Sequence, residues 1–260
     1  MRIAILVLAA CGGGSGSRAD APQPPHSGYI QLQSYDAMNA PGTATHGGSA
    51  TAALFATGEQ CTTMRHVGPC DLVQCAAVAP PAASGGTITI TGAALPLSLT
   101  PAADGTYAEY STQTMPLFAG GESITFAAAG ADVPAFTKTL SMPTKATITA
   151  PAKPTGYLAI SRTQDLAIGW SGGGSGLVQI TLLGQLSTDP RLQCRFSAGA
   201  GAGVVPAAAL ATVSTGMAAF AMASISDSEQ DAGDWAIDVS GYFNAVWPDD
   251  SIVSGAASLQ

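Results

Sequence analysis

The five residues Thr87-Ile88-Thr89-Ile90-Thr91 alternate a polar β-branched side chain with an isoleucine. Successive side chains of a strand point to opposite faces, so Ile88 and Ile90 share one face and the threonines share the other. This pattern predicts a strand with one buried face. The same period of two recurs at further apolar sets: Ile30 and Leu32; Leu97 and Leu99; Ile124 and Phe126; Leu166, Ile168 and Trp170; Val178, Ile180 and Leu182; Trp235, Ile237 and Val239.

Short strands separated by turn residues indicate an all-β chain. Asp104-Gly105 is a typical turn pair. Alanine is abundant, but only 10% of the residues are charged, whereas exposed helix faces normally carry many Lys, Glu and Arg side chains. Pro206 followed by alanines predicts no more than a short helical turn. We therefore expect β-sandwich architecture.

A proline-rich stretch at 141–155 predicts a domain boundary, because proline breaks regular structure. Two similar openings, Ser27-Gly28-Tyr29-Ile30 and Thr155-Gly156-Tyr157-Leu158, stand on either side of it. The expected organisation is therefore one β-sandwich domain over 28–142 and a second over 143–260.

The N-terminal segment predicts export. Residues 1–10 carry one arginine and then an apolar run of about 12 Å as a helix, too short for a hydrocarbon core of about 30 Å. Leu8-Ala9-Ala10-Cys11 resembles the lipobox of bacterial lipoproteins, which implies a cleaved signal peptide and a lipidated Cys11. Residues 11–27 are rich in Gly, Ser and Pro and predict a flexible tether. An ordinary secretory signal is the alternative.

Residues 164–170, Gln-Asp-Leu-Ala-Ile-Gly-Trp, resemble the second strand of immunoglobulin-like and fibronectin type III domains. The resemblance implies a second domain of immunoglobulin type with Trp170 in its core. The Cys–Trp–Cys order of immunoglobulin domains is absent, since Cys194 alone follows Trp170. The whole chain is similar to uncharacterised bacterial lipoproteins, which implies a membrane anchor at the outer membrane or cell surface.

Four further cysteines, Cys61, Cys70, Cys75 and Cys194, predict two disulfides in an oxidising compartment. A hairpin turn centred on Gly68 places Cys61 opposite Cys75. Cys70 is then left for Cys194, although these two also fit buried thiols. Zinc is a poor alternative, because the spacing lacks paired C-x₂-C units.

Carboxylates concentrate in the stretch 226–234. Asp227, Glu229 and Asp231 occupy positions 1, 3 and 5 of a calcium-loop spacing, and Asp238 falls at position 12, but the glycine stands at position 7 instead of 6. We interpret the stretch as a solvated acidic turn. The alternative is a calcium site formed by the carboxylates Asp227, Glu229, Asp231 and Asp234.

Composition and motifs favour a binding or structural role over catalysis. The net charge of −8 repels nucleic acid, so no nucleic-acid partner is expected. Residues 169–173 match the hydrolase pattern G-x-S-x-G, but strand-like sequence follows and the last histidine, His66, precedes it. We interpret 169–173 as a hairpin loop and expect no enzyme, no required cofactor, and an unknown protein or glycan partner. A hydrolase and a calcium-stiffened module are the alternatives.

Overall fold

The computed structural model describes residues 25–39, 43–57, 61–76, 79–184 and 189–260, and within these ranges the chain is all-β, as predicted. Helical residues in these ranges are confined to α1 (Ala207–Leu210), which follows Pro206 as predicted, and to a 3-10 turn at Ala198–Ala200. The strands are β1 (His26–Asn39), β2 (Thr43–Phe55), β3 (Cys61–Val67), β4 (Cys70–Cys75), β5 (Ile88–Thr91), β6 (Leu97–Leu99), β7 (Tyr110–Thr112), β8 (Ser123–Ala128), β9 (Phe136–Ser141), β10 (Ala146–Ala150), β11 (Leu158–Ile160), β12 (Leu166–Gly172), β13 (Leu177–Leu183), β14 (Arg191–Ser197), β15 (Ala202–Val205), β16 (Gly216–Ala232), β17 (Trp235–Asn244) and β18 (Ser254–Leu259).

The predicted signal peptide, Cys11 and most of the tether lie outside the described residues. The tether was predicted to extend to residue 27, but His26 and Ser27 already pair with β2 and β17 as part of β1. The folded part therefore begins at least two residues before the predicted start at residue 28.

The strands form three sheets. The large sheet has eleven strands, in the order β3-β4-β14-β13-β16-β17-β1-β2-β7, with β18 paired to β16 and β11 paired to β18. A four-stranded sheet has the order β6-β5-β8-β9, and a three-stranded sheet has the order β10-β12-β15. Most neighbours are antiparallel, whereas β11 and β18 pair in parallel, as do β1 and β17, with Ile30 opposite Val239.

One face of the large sheet is apolar and packs against both smaller sheets. The predicted alternation explains the first hydrophobic cluster, in which Ile30, Leu32 and Val239 of the large sheet meet Ile90 and Phe126 of the four-stranded sheet. All five side chains are fully buried. This arrangement of two packed sheets is the one that the alternating residues predict.

The second hydrophobic cluster lies between the large sheet and the three-stranded sheet. Ile180 and Met222 of the large sheet pack there with Ile148, Ile168 and Trp170. The indole Nε1 of Trp170 donates to the Ala198 carbonyl at 2.7 Å, which satisfies the one polar atom of a buried tryptophan. The expectation that Trp170 lies in a core is confirmed.

Each hydrophobic cluster draws mainly on one predicted domain, but the large sheet joins the two. β1 pairs with β17, and β4 pairs with β14, across the expected division between residues 142 and 143. Strands can pair whatever their separation in sequence. A proline-rich stretch therefore indicates where regular structure breaks along the chain, and not where one sheet ends and another begins. The division into 28–142 and 143–260 stays a prediction.

Both predicted disulfides, Cys61–Cys75 and Cys70–Cys194, are confirmed. The turn itself differs from the prediction, because Val67 pairs with Cys70 and the turn lies half a residue further along. A bulge at Met64, between Thr63 and Arg65, adds one residue to β3 and restores the register of Cys61 with Cys75.

Candidate functional site

The second face of the large sheet is mainly polar, with one small apolar cluster of Leu177, Ala223, Ile225 and the ring of Tyr242. Backbone register fixes its members, because side chains directly opposed on adjacent strands share a face. Asp238 of β17 lies opposite Tyr29 of β1 and Glu229 of β16. Ser240 lies opposite Gln31 and Asp227. We call this surface the polar face, and its members are Tyr29, Gln31, Gln33, Gln179, Thr181, Arg191, Gln193, Arg195, Asp227, Glu229, Asp238, Ser240, Tyr242 and Asn244.

Much of the polar face is buried. Several of its uncharged side chains are at most 3% exposed, namely Gln31, Gln33, Gln179, Thr181, Gln193 and Ser240. Hydrogen bonds within and between strands pair these groups: the Gln33 amide donates to Asn244 Oδ1 of the neighbouring strand at 2.8 Å, and the Gln179 amide donates to Thr181 Oγ1 of its own strand at 3.0 Å. Amide side chains in a protein interior are tolerated where they are paired in this way.

A buried ion pair crosses the polar face. Arg195 Nη1 donates to Asp227 Oδ2 at 3.0 Å, and the two side chains are 11% and 9% exposed. Arg195 Nε also donates to Gln179 Oε1 at 2.9 Å. These bonds hold the Arg195 guanidinium, which projects from β14, above β13 and β16. Each buried charge stabilises the other, because a buried charge without a counter-charge costs free energy.

Asp238 is the most perturbed carboxyl group of the polar face. Burial, with the like charges of Asp227 and Glu229, raises its pKa to about 7, and Arg195 opposes the shift. The residue as a whole is half-buried. The carboxyl therefore changes charge near neutral pH, which is typical of functional sites.

Two hydroxyl groups lie beside this carboxyl on the same strand. Tyr242 and Ser240 are each 1% exposed, and neither hydroxyl finds a hydrogen-bond partner of standard geometry. Burial and the charge of Asp238 raise the pKa of Tyr242, whereas the nearby Arg195 and a weak hydrogen bond with Ser240 lower it. The two buried hydroxyls therefore lie next to each other and lack partners of standard geometry.

Side chains of distant strands interact across the polar face, and this together with its burial indicates that the large sheet curves over it. Three strands lie between β14 and β1. In a flat sheet with about 4.8 Å between neighbouring strands, β14 and β1 would be about 19 Å apart. Burial raises the pKa of Tyr29, yet Arg191 on β14 is close enough to lower it. Burial also lowers the pKa of Arg191, and the nearby Tyr242 and Tyr29 oppose this shift. The curvature brings side chains of distant strands together.

The Cys61–Cys75 disulfide borders the polar face. Arg191 Nη2 contacts Cys61 Sγ at 3.0 Å and also reaches Cys75 Sγ. The disulfide of the β3–β4 hairpin therefore packs against a charged group of the inner surface.

The acidic stretch has strand geometry where a turn was expected. Asp227, Glu229 and Asp231 belong to β16, which extends to Ala232, and only Gly233-Asp234 form the turn to β17. The expected acidic turn is therefore wrong, because cross-strand pairing with β17 continues past these carboxylates. In the described ranges no group of three or more His, Cys, Asp or Glu side chains is arranged to hold a metal ion. Calcium binding at Asp227, Glu229, Asp231 and Asp234 stays the alternative that the sequence left open.

The hydrolase-like stretch 169–173 does not form the expected hairpin loop. Ser171 lies inside β12, and the chain continues to β13. β12 and β13 belong to different sheets, so the segment connects the two layers. The prediction of a hairpin was wrong, because adjacent strands in sequence need not pair.

Sequence reasoning missed the polar face as a surface. Its signal is a large polar residue at alternate positions of strands whose other face is apolar: GYIQLQS at 28–34, LVQITL at 177–182, LQCRF at 192–196 and AIDVSGY at 236–242. The alternation predicts one buried face for three of these stretches, around Ile30, Ile180 and Ile237, and says nothing of the reverse face. The structure buries much of the reverse face as well.

The fold and the site define an all-β protein with a polar, largely buried inner sheet face. No protein-family model matches the sequence, and no curated protein matches it significantly. In the part of the chain that the structure describes, none of the helical segments is long and apolar enough to cross a membrane.

Proposed function

We propose that this chain is a binding protein of the bacterial envelope whose polar face receives a polar ligand, a protein or a glycan. The observation that supports this proposal is the half-buried carboxyl of Asp238, whose pKa is raised to about 7 and beside which the buried hydroxyls of Ser240 and Tyr242 lack partners of standard geometry. Burying polar groups without partners costs free energy. Such departures from stable packing are typical of functional sites.

The anchor is the second part of the proposal. Leu8-Ala9-Ala10-Cys11 supports lipidation at Cys11, and each buried CH₂ of an acyl chain contributes about 0.8 kcal/mol to membrane binding. Lipidation would place the protein at the outer membrane or cell surface. The immunoglobulin-like assignment of the second half belongs to the same proposal, supported by the buried Trp170.

A hydrolase is not proposed, because Ser171 lies within a strand that leads to another strand. A nucleophile elbow requires a strand followed directly by a helix.

Capture from detergent-solubilised envelopes tests the binding role. The double variant Gln31→Leu with Gln33→Leu removes hydrogen-bonding groups of the polar face while keeping similar volume. The matched control, Thr125→Val with Thr139→Val, changes a hydroxyl pair on the exposed side of the four-stranded sheet. We expect wild type and control to capture the same partner and the polar-face variant to lose it. Equal capture by all three proteins, or no partner for wild type, would contradict the proposal.

Membrane fractionation tests the anchor. Mass spectrometry of the mature wild-type protein should show an acylated N-terminal cysteine, and the Cys11→Ser variant should leave the membrane fraction. A Cys11→Ser variant that still fractionates with membranes contradicts lipidation as the anchor.

A further inference from the structure

We propose that the Cys61–Cys75 disulfide is a site of thiol–disulfide exchange, which a dithiol reductant opens while the Cys70–Cys194 disulfide stays intact. The two bonds differ in their surroundings. One lies at the edge of the large sheet against a guanidinium group, and the other lies in a hydrophobic cluster. This inference is independent of the proposed binding role, because it concerns other residues and another chemistry.

The position of each disulfide in the sheet decides how readily a reductant reaches it. Cys70 and Cys194 are at most 1% exposed, and their bond joins β4 to β14 inside the large sheet. Cys61, 9% exposed, lies on β3, the terminal strand of the sheet order, and its partner Cys75 is half-buried. Five consecutive residues of β3, 62–66, are exposed. A terminal strand with few buried side chains opens locally at a low cost in free energy, so a thiol gains access to Cys61–Cys75 first.

A guanidinium group contacts both sulfur atoms of this edge disulfide. Arg191 Nη2 lies 3.0 Å from Cys61 Sγ and also reaches Cys75 Sγ. A guanidinium has five N–H donors, so these contacts are compatible with the other interactions of Arg191. When the disulfide breaks, either sulfur becomes a thiolate beside a positive charge. A neighbouring arginine lowers the pKa of a thiol below its usual value of about 8.5.

The exchange consists of two successive displacements, and each thiol of the reductant releases its proton to water before it attacks. The first thiolate attacks Cys75 Sγ, a new sulfur–sulfur bond forms, and Cys61 leaves with the electron pair as a thiolate beside Arg191. The second thiolate displaces Cys75 from this mixed disulfide. The protein thereby gains two electrons, and the reductant becomes a disulfide. A leaving thiol of low pKa departs faster, so the guanidinium accelerates the first displacement.

Opening this bond leaves the rest of the large sheet joined. Cys61–Cys75 closes a loop within one hairpin, with a sequence separation of 14 residues, whereas Cys70–Cys194 spans 124 residues. The long-range bond is the one that the exchange spares. The reduced protein is therefore expected to stay folded, with two thiols at the sheet edge that can be joined again by an oxidant.

Reduction of the intact, folded chain with dithiothreitol tests the inference. Samples alkylated with iodoacetamide at intervals and mapped by mass spectrometry give the opening rate of each disulfide in the same molecule. We expect Cys61–Cys75 to open at least about tenfold faster than Cys70–Cys194. In the reduced protein, the pH midpoint of Cys61 alkylation should lie below about 8.5. Equal rates, earlier opening of Cys70–Cys194, or a midpoint at or above this value would overturn the inference, and none of these measurements depends on a variant.

Three variants separate the charge of Arg191 from access to the disulfide. Arg191→Met should slow the opening of Cys61–Cys75 about tenfold, and Arg191→Lys, which keeps a positive charge, should recover much of the rate. Arg65→Met removes a charge from an exposed position of the same hairpin and should change little. A loosened fold would instead accelerate reduction, and the rate for Cys70–Cys194 reports it. An Arg191→Met rate no slower than wild type, or equal slowing by Arg65→Met, would overturn the role of the guanidinium.

Discussion

Asp238 and Glu229 lie directly opposite each other on the antiparallel strands β17 and β16. Like charges at opposed positions repel, and here burial is the larger effect, so that the pKa of Asp238 rises from 3.8 to about 7. The unfolded chain releases this proton near pH 4, whereas the folded chain holds it to about pH 7. Between these values folding takes up a proton, and stability falls as the pH rises.

The Asp238→Asn variant should be more stable than wild type above pH 7. Asparagine cannot ionise, so it avoids a penalty of roughly 4 kcal/mol at pH 8, equivalent to a rise in Tm on the order of 10 °C. The gain should shrink as the pH falls, because wild type is then protonated as well. Thermal unfolding followed by circular dichroism at pH 4, 6 and 8 measures it. A gain that is the same at all three values would contradict the assignment to Asp238.

The Arg195→Met variant should lose about 3–5 kcal/mol of unfolding free energy, since it leaves Asp227 buried without its counter-charge. The double variant Arg195→Met with Asp227→Leu should recover much of this loss, because two apolar side chains need no pairing. Lys153→Met, which removes an exposed ion pair with Asp249, serves as the control and should change little. Urea unfolding decides between these outcomes, and a double variant as unstable as the single one would refute the explanation.

Deleting Met64 should prevent the Cys61–Cys75 disulfide. The bulge at this residue corrects the register of β3, so its loss shifts Cys61 one position away from Cys75. Met64→Ser keeps the chain length and changes a side chain that is 59% exposed, so this control should form the disulfide normally. Non-reducing peptide mapping shows whether Cys61 and Cys75 are joined in each of the two variants. Normal pairing in the deletion variant would show that the bulge does not set the register.

Removing the Cys70–Cys194 disulfide should destabilise the protein more than removing Cys61–Cys75. The two bonds close loops with sequence separations of 124 and 14 residues, for which loop entropy gives about 4.7 and about 3 kcal/mol. Double Cys→Ala variants of each pair can be compared by urea unfolding. A larger loss of stability on removing Cys61–Cys75 would show that contacts of the β3–β4 hairpin, and not loop closure, account for most of the stabilisation.

The alternating residues predicted much of the local structure. Ile88 and Ile90, Val178 and Ile180, and Ile237 and Val239 lie on buried strand faces as expected, because the side-chain period of a strand is a property of the backbone. The short helix after Pro206 follows from similar local rules. Pairing of the four cysteines also followed from sequence, although the turn differed and the bulge at Met64 restored the alignment.

Tertiary structure alone decided which strands became neighbours and whether their second faces met water or protein. The sequence contains no signal that β1 pairs in parallel with β17, or that β12 and β13 enter different sheets. Polar residues at alternate positions, such as Gln31 and Asp238, have the same local pattern whether they meet water or protein. The assembly of eleven strands into one sheet settles that choice, because burial of the second face depends on side chains from strands far apart in sequence. Local periodicity thus determined the strands of this protein, whereas long-range pairing determined the site.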